Sequence, residues 1–341
     1  MASKQKTTEN AITPQDKALS ASERFTSMVM NQYSSVGTPY NFTQHEKQLI
    51  RNYFICIDQM LQKTEAERLR KNASNKDHGY DNNLPYSWQT VDLPRLAQDL
   101  AHYARIGLDM MEDNTLFPIP YRNNKGNVYG VTLMEGYNGK RYLAEKYALE
   151  PFKSVTVEAI FKNDKFRVIK KDSRNQVEGY EFDIPQPFDR GEIVGVFGYI
   201  TYDDPTKNKV IVFSTADVMK RKPKYASAEF WGGTKTTGYG DKKTTIELEG
   251  WLPEMYEKTM RREVYGSKRI PRDPAKIDEH YEYISKRERQ FEDDVIESEI
   301  VDNANVTPVE LPATPKAIEV QEEPTQHAAA DAPEISPDAG F

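Results

Sequence analysis

The amino-acid sequence predicts an α+β fold, an antiparallel β-sheet or meander packed on helices, with a disordered N-terminal arm and a disordered acidic C-terminal tail. Three observations carry that expectation. Apolar residues recur at three- and four-residue steps after Thr43, after Asp92 and again after Pro253, the period of amphipathic helices. From Phe117 to about Ser214 the period changes to two, in short runs separated by turn residues, as expected of half-buried strands in antiparallel register. Both ends lack either period, which sets the expected organisation as an arm over residues 1–24, one folded domain over 25–290 and a tail over 291–341.

Each element has its own signal. Thr43 and Glu46 have capping-box spacing, and Leu49, Ile50, Tyr53, Phe54, Ile57, Met60 and Leu61 form one stripe behind them, predicting a helix to about Glu67. Lys71–Pro85 is rich in Asn, Asp and Gly and reads as a loop. Asp92 caps a second helix whose Leu93, Leu96, Ala97, Leu100 and Ala104 share a face and whose stop is Gly107. Val128–Glu135, Val155–Lys162, Phe166–Lys171, Glu178–Ile184, Ile193–Tyr202 and Lys209–Ser214 read as strands, interrupted by the helix-forming composition of Gly136–Leu149. A short capped helix follows at Ser214–Lys222, then a basic, aromatic and glycine-rich stretch over Lys220–Lys243. Pro253 suits the first turn of a helix that runs to about Tyr265 and stops at Gly266. Asp273 and Pro274 open the last helix, with Ile277, Tyr281, Ile284, Phe291 and Val295 as a narrow stripe, and beyond Ile300 six prolines and many acids predict disorder.

Composition excludes several classes. A single cysteine, Cys56, leaves no internal disulfide and no cysteine zinc cluster, which fits a reducing cytoplasm. No run of 18 apolar residues occurs and the first ten residues are polar, so neither a membrane span nor a secretion signal is expected. The net charge of −7 is unevenly spread: residues 292–341 hold 13 of the 53 acids against Lys316 alone, leaving 45 basic and 40 acidic residues in 1–291. A mildly basic body with an acidic appendage permits a nucleic-acid partner.

Catalytic templates fail one after another. His45, His78, His102, His280 and His327 are scattered, without a second ligand at metal spacing, and read as surface or packing residues. Cys56 on an apolar stripe reads as a small buried hydrophobe. A Walker A loop ending at Lys140 would need Gly at Met134 and Ser or Thr at Arg141, so ATP hydrolysis has no support. Glu292, Asp293 and Asp294 read as a solvated acidic face rather than a magnesium site. These residues therefore give no support for a catalytic site or for a required cofactor.

Cations interleaved with aromatic rings are the stronger signal. Lys220–Arg272 holds 13 Lys and Arg against seven acids, with Tyr225, Phe230, Trp231, Tyr239, Trp251 and Tyr256 among them. Cations track phosphates and flat side chains stack on unpaired bases, the combination that holds single-stranded nucleic acid. On the helix from Pro253, a turn of 100° per residue puts Lys258, Arg261 and Arg262 on one arc and Tyr256, Met260 and Val264 opposite. An ordinary amphipathic helix with a solvated basic side remains the alternative. Gly136-Tyr137-Asn138-Gly139-Lys140-Arg141 has the form of a turn that can bring amides and charge to a phosphate, with a plain tight turn as its alternative.

Several of these segments together resemble the phage RecT family of single-strand annealing proteins. The string from Lys220, Arg221, Lys222, Lys224 and Tyr225 through Glu229, Phe230, Trp231, Gly232, Gly233 and Lys235 resembles one family motif. Glu249, Gly250, Trp251, Met255, Lys258, Thr259 and Arg262 resemble the next. Glu135, Gly136, Tyr137, Gly139, Leu143 and Ala144 match another signature, and Tyr103–Asp109 followed by Pro120 and Tyr121 resembles the helix-to-strand passage before it. The likeness spans about Pro39–Ile284 and departs at Asn138, where many relatives carry a basic residue. It implies a β-sheet packed on a long helix, with DNA held in an outward groove. It also implies ATP-independent binding of single-stranded DNA and annealing of complementary strands in the bacterial cytoplasm, as a ring or helical filament, beside a phage exonuclease and a host single-strand-binding protein. DNA contact is carried over to Lys258, Thr259 and Arg262, with Arg261 added from the arc, and is expected also of Tyr137, Lys140, Arg141, Lys220, Arg221, Lys222, Lys224, Tyr225, Trp231 and Lys235. A single-strand-coating protein, a phage scaffold and a metal-dependent nuclease are the rival classes.

Overall fold

The computed structural model describes residues 20–36, 41–74, 83–123, 127–222, 226–237 and 244–290. Its architecture is α+β with antiparallel pairing throughout the named strands. Three helices form one half: α1 (Ala21–Val36), α2 (Gln44–Ser74) and α3 (Leu93–Ile106). The Thr43–Glu46 capping box is present in both directions, at 2.7 and 3.2 Å, and α2 runs past the expected Glu67 to Ser74, taking the first residues of the expected loop. Asp92 accepts from the Arg95 amide at the start of α3, and Gly107 ends it with φ of 94°, a conformation that a side chain would strain. The remainder of the expected Lys71–Pro85 loop lies outside the described residues through 75–82.

Helix α1 lies outside the elements read from the sequence, although Ser20 and Glu23 form a capping box and Phe25, Met28, Val29 and Tyr33 have helical spacing. It starts inside the expected 1–24 arm, at Ala21, and buries Phe25 and Val29 with Leu49, Ile50, Tyr53, Leu96 and Leu100 in the first core. The rest of that arm, 1–19, and the expected tail from 291 lie outside the described residues. Against this core packs the hairpin of β1 (Leu116–Asn123) and β2 (Val128–Glu135). Pro118 and Pro120 sit on β1, which pairs on one side only, where a missing N–H costs no ladder bond.

The other half is built on a three-stranded sheet. After α4 (Tyr137–Tyr147), β3 (Phe152–Phe161) pairs with β6 (Ile193–Tyr202), which pairs with β7 (Lys209–Ser214). Close strand spacing suggests a sequential meander, but β4 (Lys165–Ile169) pairs only with β5 (Gly179–Asp183), as a hairpin inserted between β3 and β6. Phe166, Tyr180 and Phe182 of that hairpin all contact the Phe197 ring of β6, at 4.8, 4.5 and 5.4 Å between centres. Aromatic pairing therefore holds the hairpin to the sheet without ladder bonds.

Next come α5 (Thr215–Met219), α6 (Ala228–Trp231), the hairpin of β8 (Gly233–Thr237) and β9 (Thr244–Leu248), and α7 (Leu252–Val264). The β8–β9 hairpin lies where composition alone showed only a basic, glycine-rich stretch. Helix α7 covers the sheet through Tyr256, Met260 and Val264, in a second core with Val157, Val196, Ile200 and Ile211. It can approach closely because β6 carries Gly198: a Cβ there would stand 2.5 Å from a Val264 methyl. The last described helix, α8, spans residues 279–290 rather than starting at Asp273; Asp273 and Pro274 make the turn before it. Ile284 of its expected stripe is buried in the first core, while Phe291 and Val295 lie outside the described residues.

Candidate nucleic-acid interface

Helix α7 has a packed side and a cationic side, as its 100° spacing predicts. Lys258 is exposed and has no ion-pair partner among the described residues. Arg261 is half-buried, with Nη2 3.3 Å from Glu257 Oε2 and its guanidinium 5.9 Å from the centre of the Tyr137 ring. Arg262 has as its one hydrogen-bonding contact among the described residues the Met134 Sδ, at 4.0 Å, so most of its five N–H donors are uncommitted. Thr259 donates its hydroxyl to the Met255 carbonyl at 2.8 Å, within the helix, so it serves α7 locally.

The second expected group enters from α4. Tyr137 reaches Arg261, Lys140 Nζ lies 2.6 Å from Glu288 Oε1 of α8, and Arg141 pairs with Glu145 one turn on, at 2.7 Å. The turn before α4 differs from the phosphate cradle that its glycines suggest. The Gly136 amide donates to the Thr115 carbonyl at 3.0 Å, and the Asn138 and Gly139 amides donate to the Asn114 carbonyl at 3.1 and 3.4 Å. A Cβ on Gly136 would stand 2.0 Å from the Asn114 carbonyl oxygen, and one on Gly139 2.2 Å from that of Thr115. The glycines let the turn close on the protein's own 113–115 loop, and Asn138 Nδ2 adds a bond to the Asp113 carbonyl at 2.8 Å. Lys140 and Arg141, not these three amides, are the groups left for an anion.

A third group gathers at the other end of α7. The Trp251 amide donates to the Phe230 carbonyl at 2.7 Å, joining α6 to the start of α7. Lys222 Nζ lies 5.8 Å from the centre of the Trp231 ring, and Trp231 packs against the second core. Arg221 stacks 3.9 Å from the Phe213 ring centre and donates to the Asp217 carbonyl, while Lys235 pairs with Glu229. Lys220 is exposed at the end of α5, and Lys224 and Tyr225 lie outside the described residues. Phe230 and Trp251 keep 51% and 60% of their surface exposed, large rings open to solvent, which is what base stacking requires.

Two cavities meet at Arg262. One, about 80 Å³, is lined by Asp99, Tyr103, Thr132, Glu135, Arg287 and Glu288 with Arg262 at its edge. Glu135 is fully buried and accepts from the Tyr103 hydroxyl at 2.5 Å. Burial, and then the nearby Glu288 charge, raise its pKa, favouring the neutral acid. The Thr132 hydroxyl is buried there without a hydrogen-bond partner among the described residues. Asp99, also buried, accepts from Arg287 at 3.0 and 2.8 Å and from the Tyr283 hydroxyl at 2.8 Å, fastening α8 to α3. The second is an open groove of about 610 Å³ in which Lys140 and Arg262 are joined by Lys268, Arg272 and Arg289. Sequence reasoning named none of those three as contacts: Lys268 and Arg272, on the loop after α7, fall within the counted basic stretch, and Arg289 lies on α8 beyond it.

The histidines, scattered in sequence, are not all isolated in space. His102 Nδ1 and His280 Nδ1 are 3.0 Å apart, with Tyr283 stacked on the His102 ring at 3.8 Å. Burial, then the neighbouring ring, lowers the His102 pKa to about 4; burial, then Arg105, lowers that of His280. Among the described residues, no three His, Cys, Asp or Glu side chains are grouped to hold a metal ion, and no helix is long and apolar enough to cross a membrane.

The RecT family model matches residues 94–264, half of the chain, from the first turn of α3 to the last residue of α7. No curated protein and no solved structure matches significantly.

Proposed function

The chain belongs to the RecT family, whose members are phage-type single-strand annealing proteins of recombination, and from that membership we propose that it binds single-stranded DNA and pairs complementary strands without ATP. The observation that carries the reading is the cationic side of α7, where Lys258 is exposed, Arg261 approaches the Tyr137 ring of α4 and Arg262 shares a groove with Lys140. Annealing breaks no covalent bond. It needs strands held by their phosphates with bases free to pair, so cations on a rigid helix and exposed rings such as Trp251 meet the chemical demand.

On the same reading the protein works on DNA in the cytoplasm, on strands that a partner exonuclease exposes and that a host single-strand-binding protein covers. It acts as a homo-oligomer, a ring or a filament, with magnesium tuning the DNA complex rather than taking part in chemistry.

The test mixes two complementary fluorophore-labelled oligonucleotides with the protein, without nucleotide, and follows energy transfer while salt is titrated. Pairing faster than in the protein-free control, fading as salt rises, is the expected result. Binding without faster pairing would make this a strand-coating protein, and absence of binding would overturn the reading.

A further inference from the structure

Among the described residues, Lys140 is the one cation of the α4–α7 face held by a carboxylate of α8. Its Nζ lies 2.6 Å from Glu288 Oε1, across 148 positions of sequence, with the two side chains 18% and 36% exposed. Arg141 and Arg261, by contrast, pair with glutamates on their own helices, where the partner travels with them. Glu288 also lines both cavities that meet at Arg262. In the groove it is the acid nearest the Lys140 ammonium, and Glu263, another acid there, is engaged by Arg269 at 2.7 Å. A carboxylate paired to an ammonium at this distance presents two oxygens much as a phosphodiester does.

We propose that Glu288 occupies the place of a DNA phosphate: in the DNA-free protein it holds Lys140, and a single strand entering the groove takes Lys140 from it. The inference rests on the DNA-binding reading above and names a regulation of that same face. Two features make the exchange feasible. The bonds that fasten α8 to α3 come from Tyr283 and Arg287 on Asp99, not from Glu288, so the Glu288 side chain can swing without unseating the helix. Next to it, burial and the Glu288 charge keep Glu135 toward its neutral form, so Glu288 is the negative charge that a phosphate would meet there. The result is a threshold: DNA must outcompete an intramolecular carboxylate, so weak or short polyanions leave Lys140 engaged.

The test compares the full chain with Glu288→Gln, using fluorescence anisotropy of a labelled oligothymidine across a salt series. A gain in affinity of roughly three- to tenfold at low salt is expected, the size of a partly exposed ion pair. It should vanish in the Lys140→Gln background. Glu282→Gln, the same charge change on α8 at a residue 3.6 Å from Lys286 of its own helix, is the control and should move affinity little. Unchanged or weaker binding by Glu288→Gln overturns the proposal, as does a gain that persists without Lys140 or that Glu282→Gln reproduces. Salt-sensitive binding by the unaltered chain without the Glu288→Gln gain rejects this regulation alone, while no binding by the unaltered chain rejects the DNA reading and this inference with it.

Discussion

The Arg261 guanidinium lies 5.9 Å from the centre of the Tyr137 ring, and this approach ties the cationic side of α7 to α4. Two segments separated by more than a hundred residues are thereby made into one face. A cation near an aromatic ring is worth roughly 0.5–1 kcal/mol at an exposed site, enough to orient a side chain that would otherwise sample many rotamers.

Replacing Lys258 or Arg262 by Ala should weaken single-strand binding equally on all sequences and lower the slope of log affinity against log salt by about 1 for each phosphate that goes unneutralised. Salt titrations on two unrelated oligonucleotides check it. A weakening confined to one sequence would place these residues on bases instead.

Tyr137→Ala should act through Arg261. We expect affinity to drop roughly two- to fivefold, with little further drop when Arg261→Ala is added. A double-mutant cycle measured by anisotropy decides it, full additivity being the outcome against a coupled pair.

Gly139→Ala should cost on the order of 3 kcal/mol in stability, because the new methyl would stand 2.2 Å from the Thr115 carbonyl oxygen. Urea unfolding at neutral pH measures it. The fraction that folds should keep its salt slope, since the turn's glycine amide already serves the Asn114 carbonyl.

Stability should fall on acidification through the His102–His280 pair. Both rings have lowered pKa values in the fold, His102 reaching about 4 against a usual 6.5, so the unfolded chain binds the extra protons between those limits. Their contribution is complete above pH 6.5 and is lost as pH falls toward 4, a change of about 2 kcal/mol for a pair partly open to solvent. Unfolding midpoints at pH 7.5 and 5 should converge in the His102→Asn variant.

Much of the fold was legible because its signals are local. Thr43 with Glu46, Asp92 with Gly107, and the alternation of Ile193–Tyr202 each fix an element within a few residues of sequence, and the structure keeps those bounds. Helix α1 was missed although its capping box, Ser20 with Glu23, and its stripe of Phe25, Met28, Val29 and Tyr33 are local signals, because its start lies within the polar segment read as an arm. The insertion of β4–β5 was missed because its support, three rings against Phe197 and the bonds of Glu178 and Lys170 to Val210, is a tertiary arrangement with no spacing of its own. At the site, the α7 arc followed from 100° per residue alone. Glu288 could not, since nothing in a charged helix marks which carboxylate will meet a lysine 148 positions away.

The pairing of β3 with β6 also orders the events of folding. Phe161 and Ile193 are the innermost partners of that ladder, so residues 162–192 must be looped out before β3 can join the β6–β7 hairpin. A free loop of that length pays a closure entropy, which the local β4–β5 ladder from Lys165–Asp183 to Ile169–Gly179 reduces by shortening the gap once it is formed. The joining of β3 to β6, which completes the platform on which α7 rests, is therefore the non-local step of this sheet, and stopped-flow refolding should show it slowed when the β4–β5 pairing is disrupted.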